Sequence, residues 1–260
     1  MSTEPIVPSR RRRGVRLVVA LIVLFVLLVV AAVVGDGFAR RAVADSTATQ
    51  IRDVLGLDAT HPVAVTVGGW AVLPQLIAGR LDRLDIEADD VALGGLNADV
   101  TAHATGVPIS GAGELESAHV DAAIDAASVE SLVAEFSNGT VDDVTLDPPA
   151  VQLETDIDVF GLSLAVGVGL VPDAVDGEIA LEPESIRLGG ATITADDLRD
   201  RVGSLADGLV RTRTICLDDA LPVGLTLRSV EVRSQTLRAG FDVAPGMLAD
   251  PTLQEPGSCG

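Results

Sequence analysis

The chain has no lysine and no tyrosine. Its 18 basic residues are all arginine, set against 38 Asp and Glu, and its only aromatic rings apart from histidine are Trp70 and five Phe. An interior so poor in aromatics must be filled by Val, Leu, Ile and Ala. The net charge of −20 excludes a nucleic-acid partner, because phosphate backbones require dense Arg and Lys. Cysteine is limited to Cys216 and Cys259, whose spacing fits no metal motif. There is no Gly-x-Ser-x-Gly elbow, no phosphate loop, no His-Glu-x-x-His and no dinucleotide fingerprint. These absences argue against an enzyme, and neither a cofactor nor a metal is expected.

What is present is one long uncharged run. Leu17 to Val34 reads LVVALIVLFVLLVVAAVV and follows Arg10, Arg11, Arg12, Arg13 and Arg16. As a helix these residues span about 27 Å, close to a bilayer's hydrocarbon core. The reading is a single-pass plasma-membrane anchor over 17–35. Its basic segment, 1–16, stays cytoplasmic, and the bulk of the chain lies outside. A cleaved signal peptide is the rival reading, with a small-x-small site at Ala42-Val43-Ala44. The segment from Met1 to Gly35 carries five Arg and one Glu, so the remainder of the chain holds −24. An oxidising compartment would permit Cys216 and Cys259 to pair, tying the C-terminal tail to the last strand region; two independent thiols are the alternative.

Hydrophobic periodicity outlines the exported domain, 36–245, and an irregular tail, 246–260. Phe38 to Leu57 reads as a helix with a stripe of Ala42, Ala44, Ile51, Val54 and Leu55. A strand at Val63–Val67 precedes a short helix, Val72 to Ala78, which ends at Gly79 in the manner of a C-cap. Period-two alternation then begins at Leu84 and continues around Val100 and Val120, with a turn at Gly94-Gly95. Ser128 can N-cap a helix ending near Asn138-Gly139. Val151 to Leu170 reads as a hairpin turning at Phe160-Gly161. Its second strand has a small-residue face, Ser163 to Gly169, that something could approach closely. Ile179–Leu181 and Ile186–Leu188 suggest another strand pair turning at Gly189-Gly190. An amphipathic helix follows from Thr194 or Ala195. Two last strands, Gly224 to Arg233 and Thr236 to Val243, carry a phase shift that implies a bulge near Ser229.

Candidate chemistry is sparse. His103 and His119 sit at polar strand positions and could face each other across a hairpin. A metal there would need a third ligand, with Glu114 or Glu116 conceivable, and solvated strand residues are the preferred reading. The acidic pairs Asp89-Asp90, Asp142-Asp143, Asp196-Asp197 and Asp218-Asp219 point to opposite faces on a strand and make poor paired catalysts. Arg80 and Arg83, after the short helix, and Arg211 and Arg213 are candidates for phosphate contacts; ion pairing with Asp is the competing reading.

Val65-Thr66-Val67-Gly68-Gly69-Trp70 through Leu73-Pro74-Gln75-Leu76-Ile77-Ala78-Gly79 resembles the opening of the LmeA-like phospholipid-binding domain family. So does Leu84-Asp85-Ile86-Glu87-Ala88-Asp89-Asp90-Val91, and Leu221-Pro222-Val223-Gly224-Leu225 with Ser229-Val230-Glu231-Val232 resembles its closing strands. At Ala71-Val72 members often have Pro-Phe. The resemblance implies an actinobacterial cell-envelope protein with phospholipid and membrane as partners; a protein partner is unknown. It implies a strand-rich α+β fold: an N-terminal transmembrane helix, then a curved antiparallel sheet with a few helices, tubular as in lipid-binding proteins. The aliphatic residues that would line such a tube are Leu76, Ile77, Leu164, Val166, Val168, Leu198, Leu205 and Leu209, with Arg80, Arg83, Arg211 and Arg213 for the head group. The expected function is to hold or transfer phospholipid in the envelope. The alternatives are a non-catalytic interaction module and, further behind, a lipid or glycan hydrolase.

Overall fold

The computed structural model describes residues 11–93, 96–111, 113–137, 140–159, 162–195, 197, 200, 211–219 and 221–259, with the side chains of helix α1 described from Leu24 onward. Helix α1 runs unbroken over Arg11–Leu55. Its two parts meet different surroundings. Leu24, Phe25, Leu27, Leu28, Val29, Val33 and Val34 are exposed on every face of the helix. Beyond Gly35, Ala39, Val43, Ala44, Ala48 and Ile51 pack against strands. The buried stripe is therefore rotated from the expected one. Ala44 and Ile51 belong to it, whereas Val54 and Leu55 are exposed and Leu57, past the helix end, packs in their place. Among the described residues no helix is long and apolar enough to cross a membrane; the side chains of residues 17–23 of the expected span lie outside the described residues.

Two antiparallel sheets follow, where a single curved sheet was expected. The first contains β1 (Val63–Val67), β2 (Arg80–Leu93), β3 (Leu96–Pro108), β4 (Ser117–Asp125), β11 (Leu225–Arg233) and β12 (Thr236–Val243), in the order β1-β2-β3-β4-β12-β11. The second contains β5 (Asp143–Asp147), β6 (Ala150–Val159), β7 (Leu162–Val175), β8 (Glu178–Leu188), β9 (Ala191–Thr194) and β10 (Arg213–Ile215). Its order is β10-β8-β7-β6-β5, with β9 on β8. Neither order closes on itself among the described residues, so the architecture is an open pair of sheets and not a barrel. The sheets meet along β11, which lies against β7.

The short helices are α2 (Val72–Ala78) and α3 (Ala126–Ser137). Helix α2 and its cap fall where periodicity put them, with Gly79 left-handed at φ 74°. Helix α3 starts before Ser128. Its cap is Asp125, which accepts from the Ser128 amide at 2.7 Å, while the Ser128 hydroxyl accepts from the Asn97 amide. Residues 178–188 form one strand where a pair was expected; the Gly189-Gly190 turn leads to β9 instead. The bulge between Leu227 and Ser229 is present. A second bulge lies between Ala88 and Val91. There Asp90 takes φ 53° and its amide donates to Asp99, a left-handed position that Asp tolerates better than most residues. The turns at Gly94-Gly95, Asn138-Gly139 and Phe160-Gly161, and most of the helix begun at Thr194, lie outside the described residues. The Cys216–Cys259 disulfide is formed. The tail is ordered against 221–224 by the Val223 and Gly224 amides, which donate to Glu255 and Leu253.

Candidate functional site: an alanine strip on the inner face

Alternation gives the first sheet one apolar face. Cross-strand register aligns Val65, Ile86, Ala102 and Val120 from β1 to β4, and continues to Phe241 and Leu227. One side of this face is sealed by α1 over Val63, Ala88 and Val91. There α1 and α2 also cover Val67, Leu81 and Leu84. One end is sealed by Val129 of α3, packed with Val144, Leu146, Val151 and Val232. Among the described residues, a strip between these clusters belongs to none of them: Ala102, Ala104, Val120, Ala122, Ala239 and Phe241, all half-buried. Four of the six are alanine. Small side chains keep the strip low, so an alkyl chain lying along it would contact both backbone and flanking side chains. Each methylene removed from water contributes about 0.8 kcal/mol.

The opposite face of the same sheet is polar and internally paired. His103 and His119 are register partners, as expected. Each imidazole turns to a carboxylate on its other side, His103 Nδ1 to Asp85 at 2.9 Å and His119 Nδ1 to Asp242 at 2.8 Å. Arg228 joins Asp242 to Asp121. A cleft of about 510 Å³ lies on this face, lined by Asp99, Thr101, Asp121, Glu231 and Arg238 among others. A shallower one, of about 320 Å³, lies beside α1 over Ala44, Ala48, Arg52 and Val63. Neither is an enclosed apolar tube. Among the described residues no three His, Cys, Asp or Glu side chains are grouped to hold a metal ion.

The residues singled out from the sequence separate in space. Leu164, Val166 and Val168 share one face of the second sheet with Val151 and Leu153, and are half-buried. The small face of the same strand is not open. Gly167 lies under Glu154 and Arg187, and Gly169 under Gln152 and Ser185, so neighbouring polar side chains take the space the glycines leave. Leu76 packs into the cluster under α1, but Ile77 is 89% exposed, because α2 turns Val72, Gln75 and Leu76 inward and Ile77 outward. Leu198, Leu205 and Leu209 lie outside the described residues. Arg80 donates through Nε to the Gly106 carbonyl at 2.8 Å and also to the Glu114 carbonyl, so it staples a loop. The Arg83 stem covers Gly68. Arg211 and Arg213 are exposed, at and just before the β10 edge of the other sheet; the structure does not gather the four arginines into one site. The alanine strip was missed. Its signal was present in the alternation of β3 and β4, where alanine recurs at the apolar positions Ala98, Ala102, Ala104, Ala118 and Ala122.

The acidic residues act locally. Hydrogen bonds from the Ser128 amide and hydroxyl hold the Asp125 carboxyl below the ordinary range, and those from the Asp156 amide and Thr155 hydroxyl do the same for Asp142. At the start of the domain, Asp36 accepts from the Leu73 and Val72 amides and pairs with Arg40, and these contacts likewise lower its pKa.

Neither a curated protein nor a solved structure matches the chain. A family model described as LmeA-like phospholipid-binding matches residues 34–241, which span both sheets and the second part of α1, and the chain belongs to that family.

Proposed function

We propose that this protein binds phospholipid by laying acyl chain along the alanine strip, and that it holds or transfers lipid in the cell envelope without catalysing a reaction. The observation that carries the proposal is the half-buried, unsealed strip from Ala102 to Phe241 in a chain of a phospholipid-binding family. Ten methylenes buried there would contribute on the order of 8 kcal/mol before the cost of ordering the chain. Aliphatic walls accept any alkyl chain, so head-group preference must come from polar groups at the ends of the strip. In this reading the run from Leu17 to Val34 anchors the protein in the plasma membrane, with the arginines before it cytoplasmic and the domain outside. The exposure of the described part of that run on every face of α1 supports the anchor, since no described residue covers it.

The test is lipid extraction and mass spectrometry of the purified full chain, beside a variant carrying Ala102→Phe and Ala122→Phe. Phospholipid is expected with the first and at least tenfold less with the second, while both give the same circular dichroism. Equal lipid in both would exclude the strip, and no lipid or fluorescent phospholipid uptake in either would exclude the function.

A further inference from the structure

The two most exposed large apolar side chains described in the domain, Ile77 and Trp70, lie beside the exit of α1 from its apolar run. Residues 68–79, GGWAVLPQLIAG, carry no charge. Trp70 is 86% exposed and Ile77 89%, with Leu73 also exposed. Leu73 and Ile77 are spaced i, i+4 and so share the outer face of α2, opposite the buried Val72 and Gln75. A soluble surface gains nothing from such a face.

This segment is fixed to α1 at one height. The Leu73 amide donates to Asp36 at 3.0 Å, and the Val72 amide donates to the same oxygen. Arg40 donates to the carbonyls of Val67 and Gly69. Gln75, buried at 5% exposure, donates to the Gly68 and Ala71 carbonyls and accepts from the Asp82 amide. A Cβ placed on Gly35 would stand 3.8 Å from Leu73 Cδ1. The loop and α2 therefore sit level with residues 35–40. At ~1.5 Å per residue that is within about 9 Å of Val34 along the helix, a depth comparable to the head-group layer. Phe38, 76% exposed, lies on α1 at the same level.

The charge around the patch departs from that of the domain. Residues 36–41 and 68–83 hold Arg40, Arg41, Arg80 and Arg83 against Asp36 and Asp82, in a domain that is otherwise strongly acidic. Asp36 is paired with Arg40. Asp85, two residues past this segment, is paired with His103.

Taking the anchor reading above as its basis, we infer that Trp70, Leu73 and Ile77 form a membrane dock. They insert into the interfacial layer of the bilayer that holds α1, and Arg41 and Arg83 face anionic head groups. Trp and Arg in this arrangement match the chemistry of a lipid surface, an amphipathic ring at the interface with cations beside it. A rigid helix from membrane to domain, clamped to the dock, fixes the orientation of the domain as a tether could not. The row Val67, Leu84, Ala104 and Ala118 lies at the docked end of the first sheet, so one end of the alanine strip is held toward the bilayer.

Trp70 is the only tryptophan, and its emission reports the dock directly. The full chain is reconstituted in vesicles of phosphatidylcholine and phosphatidylglycerol, with and without acyl-brominated phosphatidylcholine, and flotation is measured in parallel. The expected result is co-flotation, loss of most Trp70 emission to brominated lipid and little quenching by aqueous iodide. Ile77→Asp should still float but recover much of the emission. Co-flotation with emission quenched by iodide and untouched by brominated lipid overturns the dock and leaves the anchor standing. Protection from both quenchers means that protein covers Trp70, which also overturns it. Failure to float refutes the anchor and the dock together.

Discussion

The two parts of the inner face of the first sheet have the same strand chemistry and different covers. Under α1, Val63, Leu84, Ala88 and Val91 are sealed. A few ångströms across the sheet, on β3 and β4, Ala102, Ala104 and Ala122 are half-buried and belong to no cluster of the described residues. Alternation made both parts apolar. What distinguishes them is the presence of a helix above. The sealed part stabilises the fold, and the open part is the proposed acyl-chain site.

That contrast predicts a graded set of stabilities, measured by thermal unfolding of the protein in nanodiscs. Leu84→Ala should cost about 2–5 kcal/mol, as large-to-small changes in sealed cores do. Ala102→Val, on the neighbouring strand but in the open strip, should stay within about 0.5 kcal/mol. A similar cost for the two would mean that the strip is as sealed as the rest. Gln75→Ala should cost about 1–3 kcal/mol, because the Asp82 amide and two carbonyls lose their partner. The same variant should release the Trp70 loop, read as faster amide exchange over 68–72.

Acid should act through the carboxylates that hold backbone together. Asp36, Asp125 and Asp142 all have pKa values below the ordinary 3.8. The folded state therefore binds their protons less readily than the unfolded chain, so their contribution is complete above that value and is lost as pH falls below it. A circular-dichroism titration should be flat from neutrality to about pH 4 and fall beneath it, and a loss already complete above pH 4 would contradict this. The smallest effect is expected on the outer face. His103→Ala removes an exposed pair with Asp85 and should cost about 0–1 kcal/mol.

Much of this was legible in the sequence where the signal is local. Strand β1, helix α2 with its Gly79 cap, the bulge beside Ser229 and the His103–His119 pairing follow from periodicity and backbone preference alone. What was not legible depends on neighbours distant in the chain. The stripe of α1 could be read in two phases, and only contact with β1 and β2 selects Ala39, Val43 and Ala48. The glycines of β7 looked open because a sequence cannot show that Glu154 and Arg187 lie over Gly167. The alanine strip was visible as composition, but its exposure depends on where α1 stops covering the sheet, which is a tertiary fact. Ile77 was assigned to a groove because it is apolar, and the structure turns it to the surface beside Trp70.

The central claim is that the open strip holds an acyl chain, and the most direct measurement is the lipid bound by the full chain with and without Ala102→Phe and Ala122→Phe. The account predicts phospholipid in the first, its loss in the second and an unchanged fold in both. Phospholipid retained at the same level once the strip is filled would contradict it.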